Sequence, residues 1–208
     1  MVHNILATAL ALPLLVASLP SIVSRSSLPP CSNVDRPCSC PAGATFRNIT
    51  TYATIGATAN DIGDLTNNFF ETTWFNLTLL STTGIYNEYG ATRTFSIGDS
   101  ATLTEELIES ETYHDGSFIQ RYRQNPDPPE VEKPGGGGTF DGYWETFSVQ
   151  QTSVSDESTV IYAAYRCDIG DPFDTAGFHQ GVINDAISVL TSEGLLTGTN
   201  VAPYSTNS

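Results

Sequence analysis

The chain has 208 residues, with 23 acidic side chains against 8 lysines and arginines and a formal net charge of −15. That imbalance argues against nucleic acid and against anionic membrane surfaces as partners. The length fits one domain with a real core.

Residues 1–24 read as a secretory signal peptide. Ile5 to Leu19 is apolar, Pro13 interrupts it, and small residues at Ala17, Ser18, Ser21 and Ser24 offer cleavage sites. The run is short for a membrane anchor and has no basic stop-transfer flank. A secreted, extracellular protein without a membrane span is therefore expected. Residues 25–43 form a Cys/Pro-rich arm. The cysteines are Cys31, Cys38, Cys40 and Cys167. An even count in a secreted chain implies disulfides, with three connectivities open. Cys38 and Cys40 stand too close together to be partners. A metal site is the competing reading, but beyond the signal peptide only His114 and His179 could supply imidazole, without zinc-finger spacing. No metal is expected. Asn48-Ile-Thr50 and Asn76-Leu-Thr78 are glycosylation sequons.

The first strand is predicted over about Ala44 to Ile55. A glycan on Asn48 would turn Arg47, Ile49 and Thr51 inward. Thr58 to Phe75 reads as one or two short helices, with Gly63 marking a break between them. Ile62, Leu65, Phe69 and Phe70 would cover the end of a sheet. Leu77 to Ser81 is either a strand or irregular chain. Tyr86 to Ile97 and Ala101 to Glu109 are paired strands, joined by the turn Gly98-Asp99-Ser100. Ala91, Arg93, Phe95 and Ile97 share one face, and so do Leu103, Glu105 and Leu107. A charged side chain thus interrupts each apolar row. Asp115-Gly116 signals a hairpin into a strand at Ser117 to Gln124. Asn125 to Gly138, rich in proline and ending in four glycines, is predicted to be a loop without regular structure. Phe140 to Gln151 and Thr159 to Asp168 are the last strands. Asp174 to Leu196 is a helix with Ile183, Ala186, Ile187 and Leu190 on its apolar stripe, and Asp174 or Thr175 can cap it. Residues 197–208 are expected to be a disordered tail.

Two stretches carry a resemblance. Gly90-x-x-Arg93 on one strand, a short turn and Glu105-x-Leu107 on the next form the first. Tyr165-Arg166-Cys167-Asp168-Ile169-Gly170-Asp171-Pro172 before an apolar helix is the second. Together they resemble the START-like, Bet v 1-like superfamily, which includes plant allergens, hormone receptors and polyketide cyclases. The resemblance covers about Ala44 to Leu196. It implies an α+β helix-grip fold: a curved antiparallel sheet of about six or seven strands around a long C-terminal helix, with two short helices after the first strand. It also sets the first strand antiparallel to the last. On that basis one of Cys38 and Cys40 bonds Cys167, and the other bonds Cys31. The family has a shorter connection at 125–138, and the insertion is read as a neutral surface loop rather than a cover over a cavity mouth.

The nucleophile elbow Gly-x-Ser-x-Gly, phosphate loops and dinucleotide fingerprints are all missing from the sequence. No cofactor is expected, and His114 and His179 read as surface residues. Alternation places Arg93, Glu105, Tyr122, Tyr143, Glu145 and Tyr165 on faces with Phe95, Leu107, Phe118, Phe147 and Ile161. Apolar walls with a few polar groups are what a small-molecule pocket contains. Ile183 and Ile187 on the helix stripe would close it. Arg93 and Glu105 either pair with each other and pin two strands, or meet polar groups of a ligand. The favoured function is a secreted carrier of a small apolar or aromatic molecule. The alternatives are a cyclase- or dehydratase-like enzyme using acid–base chemistry in the same cavity, and an extracellular interaction protein with a closed core. The oligomeric state is left open.

Overall fold

A computed structural model describes residues 39–97, 101–127 and 130–207 of the chain. The signal peptide, Cys31, Cys38 and the turn Gly98-Asp99-Ser100 lie outside the described residues. The strands are β1 (Thr45–Ile55), β2 (Thr78–Thr83), β3 (Thr92–Ile97), β4 (Ala101–Thr112), β5 (Phe118–Gln124), β6 (Val131–Glu132), β7 (Gly138–Gln151), β8 (Ser158–Gly170) and β9 (Val201–Thr206). The helices are α1 (Ala59–Thr66) and α2 (Thr175–Ser192). All pairings are antiparallel, in the order β2-β3-β4-β5-β7-β8-β1-β9, with β6 beside β7. The sheet is curved and unclosed, the helix-grip arrangement. No helix of the described residues is long and apolar enough to cross a membrane.

Helix α2 lies in the grip of the sheet because one of its faces is apolar. Val182, Ile183, Ala186 and Leu190 are buried there with His179 and Thr175. The Asp174 side chain accepts from the Gly177 N–H at the start. At the end, Leu195 N–H donates to Leu190 O and Gly194 N–H to Thr191 O, the paired bonds of a Schellman cap. Helix α1 starts at the Thr58 cap, whose side chain accepts from Asp61 N–H. It runs through Gly63 without a break, because Ala59, Ile62 and Thr66 hold its buried face. The second expected helix is reduced to a 3-10 turn at Thr73–Phe75.

Two expectations about irregular chain are corrected. Residues 197–208 are not all a tail, since β9 pairs with β1 as an edge strand. Thr51 Oγ1 lies 2.8 Å from Ser205 Oγ, and the Tyr52 and Tyr204 rings stack at 5.6 Å. The connection 125–138 holds a short strand, with Val131 opposite Phe140 and Glu132 opposite Thr139. Val131 packs with Phe95, Leu103, Phe140 and Tyr143. Gly135, Gly136 and Gly137 all take positive φ, at 80°, 80° and 85°, which lets the chain reverse tightly after Lys133. Leu77 to Ser81, undecided in the sequence, contributes to β2.

The Cys40–Cys167 disulfide joins the chain just before β1 to the last strand β8. Phe46 stands opposite Cys167 in the ladder. Beyond β1 the backbone at Gly56 crosses the backbone at Gly198, which donates to Gly56 O at 2.8 Å. A Cβ on Gly56 would overlap the Gly198 backbone. Gly56→Ala is therefore expected to cost about 1–3 kcal/mol by forcing the two segments apart. Thermal denaturation checks this, and an unchanged midpoint would show that the crossing yields freely.

Candidate functional site

The β3–β4 register sets Arg93 directly opposite Glu105. Both are almost fully buried. Arg93 Nε donates to Glu105 Oε2 at 2.6 Å, and Arg93 Nη1 donates to Phe69 O at 2.8 Å. The Tyr143 hydroxyl donates to Glu105 Oε1 at 2.8 Å. The guanidinium also lies 4.4 Å from the Phe69 ring centre and 4.8 Å from that of Tyr122. Burial pushes the Glu105 carboxyl up to about 7, against the pull of Arg93 and the Tyr143 hydrogen bond. Burial alone would lower the Arg93 pKa, but Glu105 outweighs it and the guanidinium stays firmly charged.

A second polar group lies beside the first. The Tyr162 hydroxyl donates to Glu145 Oε2 at 2.6 Å and lies 2.7 Å from the Tyr122 hydroxyl. His179 stacks on the Tyr162 ring at 3.7 Å, with Nε2 3.8 Å from Glu145 Oε1. Its Nδ1 lies 3.4 Å from Thr51 Oγ1. Burial pushes the Glu145 carboxyl up, but His179 and the Tyr162 hydroxyl outweigh it and hold it below the usual carboxylate range. Burial and the two carboxylates raise the phenols of Tyr122, Tyr143 and Tyr162 well above their ordinary value, so all three remain donors.

These groups border a pocket of about 50 Å³ between the sheet and the start of α2. Arg93, Glu105, Tyr143 and Glu145 line it, among Phe75, Leu77, Phe95, Leu103 and Phe140. Pro134 of the 125–138 connection also lines it, so that connection reaches the pocket rather than lying wholly on the surface. Tyr122 stands behind the wall, bonded to Tyr162. Tyr165 does not reach it. Tyr165 packs with Trp144, Phe46 and Cys167 on the opposite face of the sheet. On β8 the inward residues are Val160, Tyr162, Ala164 and Arg166, so the sequence phase there is off by one, and Ile161 moves outward with Tyr165. Ile183 and Ile187 belong to the main core further along α2 rather than to the pocket wall.

His179 is fully buried rather than on the surface. It falls at helical spacing with Val182, Ile183 and Ala186, so its place on the apolar stripe was the available signal. His114 is exposed. Tyr162, Arg166, Phe173, Thr175 and Phe178 also line the pocket, where the sequence did not place them. Of the sequon asparagines, Asn76 is exposed after the 3-10 turn and Asn48 is half-buried on β1. Among the described residues no three His, Cys, Asp or Glu side chains gather as metal ligands.

A profile of the START domain matches residues 46–208. Among solved structures, truncated norcoclaurine synthase from Thalictrum flavum is similar at 13% identity and a TM-score of 0.50, over 72% of this chain and 96% of that one. An uncharacterised protein from Bacillus thuringiensis is similar at 17% identity and a TM-score of 0.45, over 70% of this chain and 97% of that one. Likeness at such identities speaks for the fold alone. No curated protein matches the sequence.

Proposed function

We propose, from the premise that the chain belongs to the START domain family, that it is a secreted protein binding a small, mostly apolar or aromatic molecule between the sheet and the start of α2. The observation that carries this reading is the pocket wall. Aromatic and aliphatic side chains there surround the guanidiniums of Arg93 and Arg166, the carboxyls of Glu105 and Glu145 and the phenols of Tyr143 and Tyr162. A few fixed polar groups in an apolar wall give a small-molecule site its orientation and specificity. The present volume of about 50 Å³ suits only a few water-sized groups. A larger ligand therefore displaces Phe173 or Phe178 as it enters. The apolar N-terminal run and the Cys40–Cys167 bond support secretion. Glycans are proposed on Asn48 and Asn76.

One observation favours a second reading, acid–base catalysis of the cyclase or dehydratase kind. Two carboxyls on one pocket are pushed in opposite directions, Glu105 up to about 7 and Glu145 below the usual range. Such a split suits one carboxyl as proton donor and the other as a fixed negative charge.

A thermal-shift screen of apolar and aromatic compounds tests binding, run on the wild type, Glu105→Gln and Arg93→Ala. A compound that stabilises the wild type is expected to bind the variants about tenfold more weakly, beyond what lost stability explains. If no compound stabilises the wild type, Arg93 and Glu105 form only a structural pair. Product analysis with a candidate polyketide separates the enzyme from the carrier.

A further inference from the structure

Outside the inner pocket lies a larger groove of about 340 Å³, where the starts of β1 and α2 meet the end of β8. Arg166, Phe173 and Thr175 line both spaces, so one wall of side chains separates them. Charged side chains gather at this wall. Asp168 is fully enclosed and has Arg166 Nε at 2.9 Å, Arg47 Nε at 3.2 Å and Lys133 Nζ at 3.8 Å. Two more carboxylates stand near this cluster, Asp174 on the groove itself and Asp171 beside Lys133. Arg166 and Lys133 are buried against Asp168, and Arg166 also donates to Phe173 O at 2.6 Å. The Arg47 side chain is 40% exposed on the groove, and its buried Nε, though within 3.2 Å of Asp168, lacks a hydrogen-bond partner among the described residues.

A second unanswered group faces the same space. Thr175 is only 5% exposed, and its Oγ1 has no hydrogen-bond partner among the described residues. A buried hydroxyl left without a partner carries the cost of its lost hydration. Thr175 is also the first residue of α2, at the positive end of an 18-residue helix. The Asp174 carboxylate already answers the Gly177 N–H there, but it does not reach Thr175 Oγ1 or Arg47 in hydrogen bonds.

We propose that this groove seats the carboxylate of an amphiphilic ligand, held by Arg47, Arg166 and the Thr175 hydroxyl, while its apolar end passes Phe173 into the inner pocket. The inference rests on the ligand-binding reading for the apolar end alone. A neutral apolar ligand would leave the Arg47 charge and the Thr175 hydroxyl as they are. A carboxylate accepts from both, and its charge meets the half-exposed Arg47 guanidinium in a partly dry site.

Isothermal titration with phenylbutanoate and phenylbutanol tests this, because the two probes share an apolar end and differ in the head group. The wild type is expected to bind the acid at least about tenfold more tightly than the alcohol. Arg47→Gln should abolish that preference, and Thr175→Val should reduce it. Arg47→Gln adds no carboxylate beside Asp168, which keeps Arg166 and Lys133, and thermal unfolding confirms that the variant is folded. Equal binding of acid and alcohol overturns the inference and leaves the ligand-binding reading intact. A preference that survives Arg47→Gln also overturns it. If neither probe binds, the inference falls, and the ligand-binding reading stands or falls on the wider screen.

Discussion

Replacing Arg93 with alanine is expected to lower the unfolding free energy by about 3–5 kcal/mol near pH 8. The cause is what remains rather than what is removed. Glu105 is 4% exposed, and without Arg93 its charge would keep only the Tyr143 hydroxyl as a hydrogen-bonding partner. Phe69 O would lose the donor that now reaches it. A paired apolar replacement, Arg93→Met with Glu105→Leu, should cost less than Arg93→Ala alone, because it strands no charge.

The pH dependence of that cost has a definite sign. The Glu105 carboxyl is raised in the folded protein from 4.5 to about 7. A raised carboxyl takes up a proton on folding, so the stability it supports is complete below about pH 4.5 and is lost as the pH rises through about 7. Removing Arg93 takes away the strongest influence opposing the rise, so the carboxyl climbs further. At acid pH it sheds its charge by protonation and the stranded anion disappears. The deficit of Arg93→Ala should therefore be largest near pH 8 and shrink toward pH 5. Urea unfolding of both proteins at the two pH values measures it. A deficit below about 1 kcal/mol near pH 8 would mean that the pair is as weakly coupled as one on the surface.

The strand pair that carries Arg93 and Glu105 was legible because each strand has one buried face and a polar alternate set. Period two then fixes the phase. Strand β8 defeats the same reasoning. Both of its faces are covered near Tyr165, by Trp144 and Phe46 on one side and by His179 on the Tyr162 side. A strand buried twice reads as a continuous apolar run, and alternation no longer says which tyrosine faces the helix. Lys133 escaped notice for another reason. It sits in a glycine- and proline-rich segment, yet its Nζ donates to Ile169 O and Asp171 O from a buried position. Its partners are more than thirty residues away, so no local pattern announces them. Strand β9 has the same character. It contains Pro203, has exposed Val201 and Tyr204, and becomes a strand only because the free edge of β1 accepts it. Edge pairing of this kind depends on the partner rather than on the segment's own periodicity.

Loss of the Cys40–Cys167 bond is expected to cost about 2–5 kcal/mol, and the size follows from where it sits in the chain. The two cysteines are separated by 127 residues, so the bond removes a large part of the freedom of the unfolded chain. In the folded state it adds little that the ladder lacks, since β1 and β8 already pair from Thr45 opposite Asp168 to Ile55 opposite Ser158. It does fix the end of that ladder. A slip by one residue would turn Thr51, Ala53 and Ile55 out of the core and carry Arg47 away from Asp168. Cys167 is fully buried beside Trp144 and Tyr165, so the replacement should be small and apolar. The double variant Cys40→Ala, Cys167→Ala, with Cys31 and Cys38 retained, should unfold at a lower urea concentration than the oxidised wild type. In reductant the difference between the two should nearly vanish, leaving the small effect of the lost sulfur atoms. A double variant as stable as the oxidised wild type would show that the unfolded chain is already restrained near this pair, and that the bond's contribution to stability is small.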